Sequence, residues 1–526
     1  MNSVIINQIV LPPGTPEQIA AAIALRKLGL SPSQATAAVC RRSVDARKAG
    51  RIKMVYSVKV TPVADVGDIL SRLVDQKNIR LYKDEAAPLV QRGDRQLKSR
   101  PVVVGFGPAG MFAALLLARN GLRPLVIERG PNIEDRATAV EHFWRTGTLD
   151  TEANVQFGEG GAGAFSDGKL VTRIGDHRCK FILETFAASG APQDILIDAK
   201  PHVGTDLLKV IVKSVRDEII SLGGEIMFKT RLDGIDGTHT VSKIATSSGD
   251  IPCEAMILAI GHSARDTTVM LHDFGLEFEK KPFSIGFRIE HTQSEVNRMF
   301  YGGMADNPAL PPAEYQMSHR MGERACYTFC MCPGGVVVPA ASEQGGIVTN
   351  GMSYSGRAGL FANSAVVASV LPSDIEGGAL SAIDFQRAIE KKAFADGFAA
   401  PCGSAKNYAK TNVHHLTKAQ PTYAAGVREC DLSGLLPSFS ENMIKTGLVR
   451  FESLYPGFSG GILTGVETRT SSPVRMVRTD MRASRLMGIY PAGEGAGYAG
   501  GIMSAAADGL RAAEALLGMY GSVCEN

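Results

Sequence analysis

The chemistry this chain can do is most visible in Gly105-Phe106-Gly107-Pro108-Ala109-Gly110, a GxGxxG pattern with an acidic residue, Glu128, 23 positions beyond its first glycine. In a strand–turn–helix setting each position has a physical task. Gly105 permits a tight turn, Gly107 lets the backbone approach a pyrophosphate, and Gly110 lets helix and strand pack closely. The helix that follows offers unpaired N–H groups and a partial positive charge to phosphate oxygens. Glu128 is placed to accept hydrogen bonds from ribose hydroxyls. Two further GxGxxG runs, Gly158–Gly163 and Gly495–Gly500, lack parts of this setting. The first has no apolar strand before it. It reads either as a flexible glycine loop or as one whose bare backbone lies against a flat ring, with Ser166 and Lys169 nearby as donors. The second follows a strand and precedes a helix, but only 26 residues remain after Gly500, too few for a second ribose-binding strand.

Other reactive side chains are less patterned. Cys326, Cys330 and Cys332 have C-x3-C-x-C spacing, but no Cys/His pair nearby completes a four-ligand set, so no metal is expected. Cys330 and Cys332 are candidate redox thiols, although bridging two residues so close strains a disulfide. Arg288, His291 and Arg469 are candidates for facing an acidic or carbonyl-bearing substrate, or equally for surface or structural salt-bridge roles. His262 reads as a local hydrogen-bonding residue. The nine cysteines are scattered and odd in number, which argues for reduced thiols.

The elements that must position these groups follow from hydrophobic period. PVVVGFG reads as a buried strand, GMFAALLLARNG as a helix closed by Gly121, and RPLVIERG as a second strand. A long helical pattern from Val203 leads to the strand EIMFKTRL; AMILAIGHSAR is strand and turn, and the C-terminal segment is strand, glycine turn and helix. Upstream, IINQIVL and KMVYSVKV read as strands. PEQIAAAIALRKLGL reads as a helix with Thr15 as cap, Pro16 at its start and Gly29 near its end. QRGDRQLKSR, residues 91–100, reads as a linker.

Hydrophobic content of 44% and charged content of 21% are those of a globular protein, and 526 residues suggest about three domains. No apolar run is long enough for a membrane span, and the N-terminus lacks a basic, apolar leader. The expected location is cytoplasmic. Residues 1–100 carry 17 Lys/Arg against 8 Asp/Glu, so the N-terminal region is basic within a chain of net charge +3. Arg41, Arg42, Arg47 and Lys48 form its densest cluster.

Taken together, GFGPAGMFAALLLARNG, QFGEGGAGAFSDGKL, FCMCPGG, TNGMSYSGR, ETRTSSPVR and PAGEGAGYAGGIMSAAADG resemble the glutathione-reductase-type flavoproteins, and more closely a family of uncharacterised bacterial FAD-dependent dehydrogenases. The resemblance, which runs from about residue 50 onward, implies an α/β fold: a Rossmann-like FAD/NAD(P)-binding domain (96–265 and 485–526) and an inserted mixed α+β substrate domain (266–484). The strand and helix patterns upstream suggest a small basic N-terminal α/β or α+β domain (1–95). The resemblance also implies FAD held by three stretches. Gly105, Gly107, Pro108, Ala109 and Gly110 would take the pyrophosphate and Glu128 the ribose, with Arg129 or Arg136 adding a phosphate or ribose contact. Gly161, Ala162, Gly163, Ser166 and Lys169 would lie near the ring, the strand at Leu232 near the adenine, and Ala259 and Gly261 over the nucleotide. Gly493 and Glu494 match the closing motif, where relatives usually have Asp after the glycine. Gly500, Gly501 and Ile502 would aim a helix N-terminus at the flavin. The implied activity is FAD-dependent oxidation or reduction of a small molecule, with NAD(P)H as a transient electron donor. CPGGVVVP also has a loose likeness to geranylgeranyl reductases. The alternative is a flavin-bound scaffold or RNA-directed protein, since the basic N-terminal cluster resembles small RNA-binding modules.

Overall fold

A computed structural model describes residues 3–47, 50–63, 77–82, 90–172, 174–395, 397–413, 415–483 and 485–524. Lys48 lies outside the described residues.

Near the N-terminus an antiparallel sheet runs in the order Ala35–Asp45, Lys53–Pro62, Val4–Leu11, Ile79–Leu81. The helix Glu17–Lys27 buries Ala20 and Ala24 against its apolar side chains. Thr15 is not the cap: Pro16 occupies that position in extended backbone, and no side chain caps the helix. Of the basic cluster, Arg41 and Arg42 lie on the strand Ala35–Asp45, and Arg47 follows its end. Arg42 is engaged by Glu17 at 2.7 Å, Asp198 at 2.7 Å and Asp194 at 2.9 Å, and Arg47 pairs with Asp45. Two of its nearest cations are therefore neutralised locally, and Arg42 ties this sheet to residues 194–198.

The central sheet is parallel, in the order Ile489–Pro491, Met256–Leu258, Val102–Val104, Leu125–Ile127, Glu225–Met227. VVV, MIL and IYP are buried throughout, as expected for strands covered on both faces. Helices Pro108–Arg119, Gly204–Ser221 and Ile502–Leu517 share one apolar core with it. The expected strand EIMFKTRL ends at Met227. Lys229 turns at φ 54°, and Leu232 opens a separate three-stranded antiparallel sheet. The expected linker 91–100 contains a strand, Arg95–Leu97, which pairs in parallel with Tyr520–Val523.

Between the fourth and fifth of these parallel strands in chain order lies a seven-stranded sheet. Its order is Ser318–Met321, Arg324–Cys332, Phe361–Val370, Phe283–Thr292, Ile462–Glu467, Ala400–Ser404, Val427–Glu429. Helices Ser438–Leu454 and Ser381–Ala393 contribute to its core. An ion cluster joins this region to the central sheet. Buried Arg265, just after the strand Met256–Leu258, meets Glu390 at 2.8 Å, and Arg469 meets the same carboxylate at 3.0 Å. Among the described residues no helix is long and apolar enough to cross a membrane.

Candidate functional site

The turn after Val104 is built as its glycines suggest. Gly105 has φ +96°, and a Cβ there would lie 2.4 Å from the Ala259 carbonyl oxygen. A Cβ on Gly110 would lie 1.8 Å from the Gly105 carbonyl oxygen, so the helix can pack here only on glycine. The helix Pro108–Arg119 starts from Gly107 with no side-chain cap, which leaves its first N–H groups open toward the cleft. Glu128, 5% exposed, accepts from three backbone N–H groups: Phe106 at 2.8 Å, Gly130 at 3.0 Å and Gly158 at 3.0 Å. One carboxylate thus clamps the first glycine turn to the second glycine loop.

That second loop is organised by Arg136. Its fully buried guanidinium donates to the carbonyls of Asn154, Val155, Gly158, Glu159 and Gly161, at distances from 2.6 to 3.2 Å. Burial lowers its pKa to about 10. Arg136 is therefore not among the residues that border the cleft, and of the two arginines offered for a phosphate or ribose contact only Arg129 does so. Five carbonyl acceptors outcompete a ligand for the donors of Arg136. Arg129 does border the cleft, but its guanidinium is held by Glu152 and Asp266. The ring-facing loop touches the first turn backbone to backbone, a Cβ on Gly161 falling 2.9 Å from Gly107 Cα. Ser166 donates to the Gly163 carbonyl at 2.7 Å, which fixes the loop. Lys169 donates to the Met331 carbonyl across the cleft.

The third stretch closes the site from the C-terminal end. Gly493, φ +77°, donates its N–H to Asp508 at 2.8 Å, and Asp508 is paired with Arg478 at 2.7 Å. Neither partner was singled out from sequence; the signal was an acid on the buried face of the Ala-rich helix Ile502–Leu517. That helix begins at Gly501, φ +101°, again without a side-chain cap. Ideal Cβ atoms on Gly500 and Gly501 would meet open space. Glu494 lies 3.7 Å from Nδ1 of His262, whose Nε2 is buried with no partner.

These three stretches line one cleft of about 1220 Å³. Gly107, Pro108, Ala109 and Glu128 border it, as do Ala162, Gly163, Ser166 and Lys169. So do Leu232, Ala259, Gly261, Glu494 and Ile502. Gly110 and Gly493 sit behind its wall, where they pack and hold the turns.

The opposite wall comes from the seven-stranded sheet, through Tyr327, Phe329, Cys330 and Met331. Two of the candidate substrate-facing residues take the structural alternative instead. Arg288 is wholly buried in a bidentate pair with Glu467, 2.8 Å on each side, and its other donors reach Cys330 O, Asn350 and Asn363. His291 is 1% exposed and hydrogen-bonded to Phe458 O at 2.8 Å. Both belong to the sheet interior. Arg469 borders the cleft but is held by Glu390, Ser263 and Ser342. Cys330 borders the cleft, while Cys332 is buried.

The cleft fits an extended dinucleotide. It exceeds the about 300–1,000 Å³ typical of small-molecule sites. Two uncapped helix N-termini face it, and its glycine wall would be filled by added Cβ atoms. Residues 282–470 match the family described as "FAD-dependent protein, C-terminal domain-like", and residues 3–61 match a domain of unknown function, DUF8436. The chain is an FAD-dependent flavoprotein. It is 46% identical over 492 residues to a protein of Clostridium beijerinckii described as uncharacterized, which covers 91% of this chain and 92% of that protein. The chain belongs to the family of that clostridial protein. Among solved structures it is similar to L-amino acid deaminase from Proteus vulgaris, with 12% identity and a TM-score of 0.31, covering 82% of this chain and 93% of that one. It is also similar to a geranylgeranyl bacteriochlorophyll reductase-like protein from Thermoplasma acidophilum, with 14% identity and a TM-score of 0.34, covering 80% and 78%. At these values the two likenesses bear on neither activity nor substrate.

Proposed function

We propose that the chain is an FAD-dependent oxidoreductase that acts on a small molecule held between the glycine-lined wall and the seven-stranded sheet. One observation carries this reading: three glycine-rich stretches, two of them about fifty residues apart and the third more than three hundred further on, border the same cleft. The proposed division is an FAD-binding unit (96–265 and 485–526), a substrate unit (266–484) and an N-terminal unit (1–95).

In this reading FAD lies extended, as in glutathione-reductase-type flavoproteins. The N-terminus of the helix Pro108–Arg119 would hold the pyrophosphate, and Glu128 would stand beside the ribose. Leu232, Ala259 and Gly261 border the nucleotide end. The uncapped N-terminus of the helix Ile502–Leu517 would face the ring, and its partial positive charge would favour negative charge there. Bound FAD supplies hydride and electron transfer; the chain supplies orientation, exclusion of water and the choice of substrate. The glycine loop 158–163 and Met331 press the site from two sides, with Lys169 spanning them. NAD(P)H is the proposed electron donor, entering on the substrate side.

The purified chain should carry the visible absorbance of bound FAD, and NADH or NADPH should bleach it anaerobically. A colourless protein that takes up no added FAD overturns the cofactor assignment. A yellow protein that neither nucleotide bleaches overturns the proposed donor and leaves the cofactor standing.

A further inference from the structure

Cys330 is set into its wall in an unusual way. The strand Arg324–Cys332 pairs regularly with Phe361–Val370 up to Phe329↔Ala365, then shifts register before Cys332↔Asn363. Such a bulge re-aims a side chain out of the ladder. Within it Cys330 has φ +45°, a left-handed conformation that costs a non-glycine residue of order 1 kcal/mol or more. The fold accepts that conformation and brings Cys330 to the cleft, while Cys332, two residues on, stays buried. Cys332 Sγ folds back to within 3.3 Å of the Cys330 carbonyl oxygen.

The surroundings are electropositive. The guanidinium of Arg288 donates to Cys330 O at 2.9 Å, and Lys169 donates to the carbonyl of the next residue, Met331. The opposing charges are Asp167, 3.8 Å from Lys169, and Glu467, which is neutralised by Arg288. Hydrogen bonding from Cys332, with Arg288 and Lys169 nearby, holds the Cys330 thiol well below the ordinary range against the effect of burial. Cys332 is pushed well above it. Burial raises Cys40, Cys179, Cys253, Cys326 and Cys402 instead.

We propose that Cys330 is a site of oxidative modification by hydroperoxides, with Cys332 as its resolving thiol. The Cys330 thiolate attacks one peroxide oxygen, the O–O bond breaks, hydroxide or alkoxide leaves, and a sulfenic acid forms. The Cys332 thiol then attacks that sulfur, its proton and the sulfenic hydroxyl leave as water, and an S–S bond closes. The peroxide receives the two electrons that the thiol pair loses. A bridge across a single residue is strained and correspondingly easy to reduce, which makes the modification reversible.

The test uses the full chain, hydrogen peroxide, a sulfenic-acid trap and peptide mass spectrometry; it does not require FAD to be bound. In the wild type, the peptide carrying both cysteines should lose two hydrogens and regain them with a thiol reductant. In Cys332→Ser the bridge cannot close, and trapped sulfenic acid should accumulate on Cys330. Cys330 should react at least about tenfold faster than half-buried Cys40 or Cys179, because the thiolate is the reacting form. Equal labelling of Cys40, Cys179 and Cys330 overturns the proposal. A wild type that keeps its sulfenic acid without closing the bridge also overturns it. Cys330→Ser should abolish both products; if its melting temperature shows that it has not folded, the folded Cys332→Ser protein decides the outcome.

Discussion

The two walls of the cleft are made differently. On the dinucleotide side the surface is mostly backbone: glycine turns and two uncapped helix starts, with Glu128 at its border and Arg136 behind it holding the loops. On the sheet side the surface is side chain: Tyr327, Phe329, Cys330 and Met331 stand on a strand whose underside is anchored by Arg288 and Glu467. A cofactor common to many proteins can be held by groups every residue possesses. A particular substrate has to be recognised by side chains. The glycine wall should therefore answer to changes in FAD content, and the sheet wall to changes in what FAD acts upon.

The largest effect should come from Gly110→Ala. The new methyl would lie 1.8 Å from the Gly105 carbonyl oxygen, against backbone that cannot yield without moving the helix. FAD should be lost outright, with about 1–3 kcal/mol of overpacking cost or more, read from flavin content and thermal unfolding. Gly500→Ala is the contrast, since its methyl meets only open space in the protein. Stability without FAD should be unchanged while FAD affinity falls. If Gly500→Ala keeps full affinity, the flavin does not lie against that turn.

Next come the two buried arginines. Arg288→Met leaves Glu467 without its partner and should destabilise the protein by about 3–5 kcal/mol. Arg136→Met takes a donor from five carbonyls, of which Gly158 and Gly161 keep a backbone N–H, at about 1–3 kcal/mol for each left unsatisfied and less than additive overall. The distinction between the walls predicts that folded Arg288→Met keeps its FAD and Arg136→Met does not. The reverse result would erase the distinction.

This contrast also accounts for what could be read from sequence. The turn at Gly105 was legible because phosphate binding by backbone needs glycine at fixed spacing, and spacing survives in a one-dimensional string. Arg136 and Arg288 were legible as charges but not as directions. Whether a guanidinium meets a ligand or five carbonyls depends on where residues 154–161 or Glu467 arrive in space. The strand Ala35–Asp45 was hidden by its basic composition, and Arg95–Leu97 by looking like a linker, because each is completed by a distant pairing partner. Nothing in the spacing of Cys330 and Cys332 announced a bulge.

The junction between the two walls should respond to acid. Burial opposes ionisation of Glu390, but Arg469 and Arg265 outweigh it and lower its pKa from 4.5 to about 2. A carboxyl lowered in the fold lends stability that is fully present above its unfolded pKa and disappears as pH falls through the folded value. Thermal stability should therefore drop as pH falls from about 4.5 toward 2. Glu390→Gln should flatten that part of the profile while lowering stability at neutral pH, since two buried guanidinium groups lose their counter-charge. An unchanged acid profile in Glu390→Gln would remove this cluster as the acid-sensitive joint.

The smallest predicted effect bears most finely on the contrast, because it concerns a side chain on the backbone wall. Glu494 stands where the resembling flavoproteins usually have Asp, and its extra methylene brings the carboxylate to 3.7 Å from His262. His262 in turn leaves Nε2 buried and unpartnered beside the cleft. On the proposed reading Glu494 has two tasks, to face the bound cofactor and to orient the imidazole. Glu494→Asp keeps a carboxylate for the cofactor and gives up the reach to His262. Glu494→Ala gives up both. Loss of one hydrogen-bonded contact is worth about 1 kcal/mol, so FAD affinity should fall about fivefold in Glu494→Ala and by less in Glu494→Asp, measured by flavin fluorescence on titration. His262→Gln should match Glu494→Asp if the two act together. Should Glu494→Asp bind FAD more tightly than the wild type, the shorter acid is the better cofactor ligand, and the longer one serves His262.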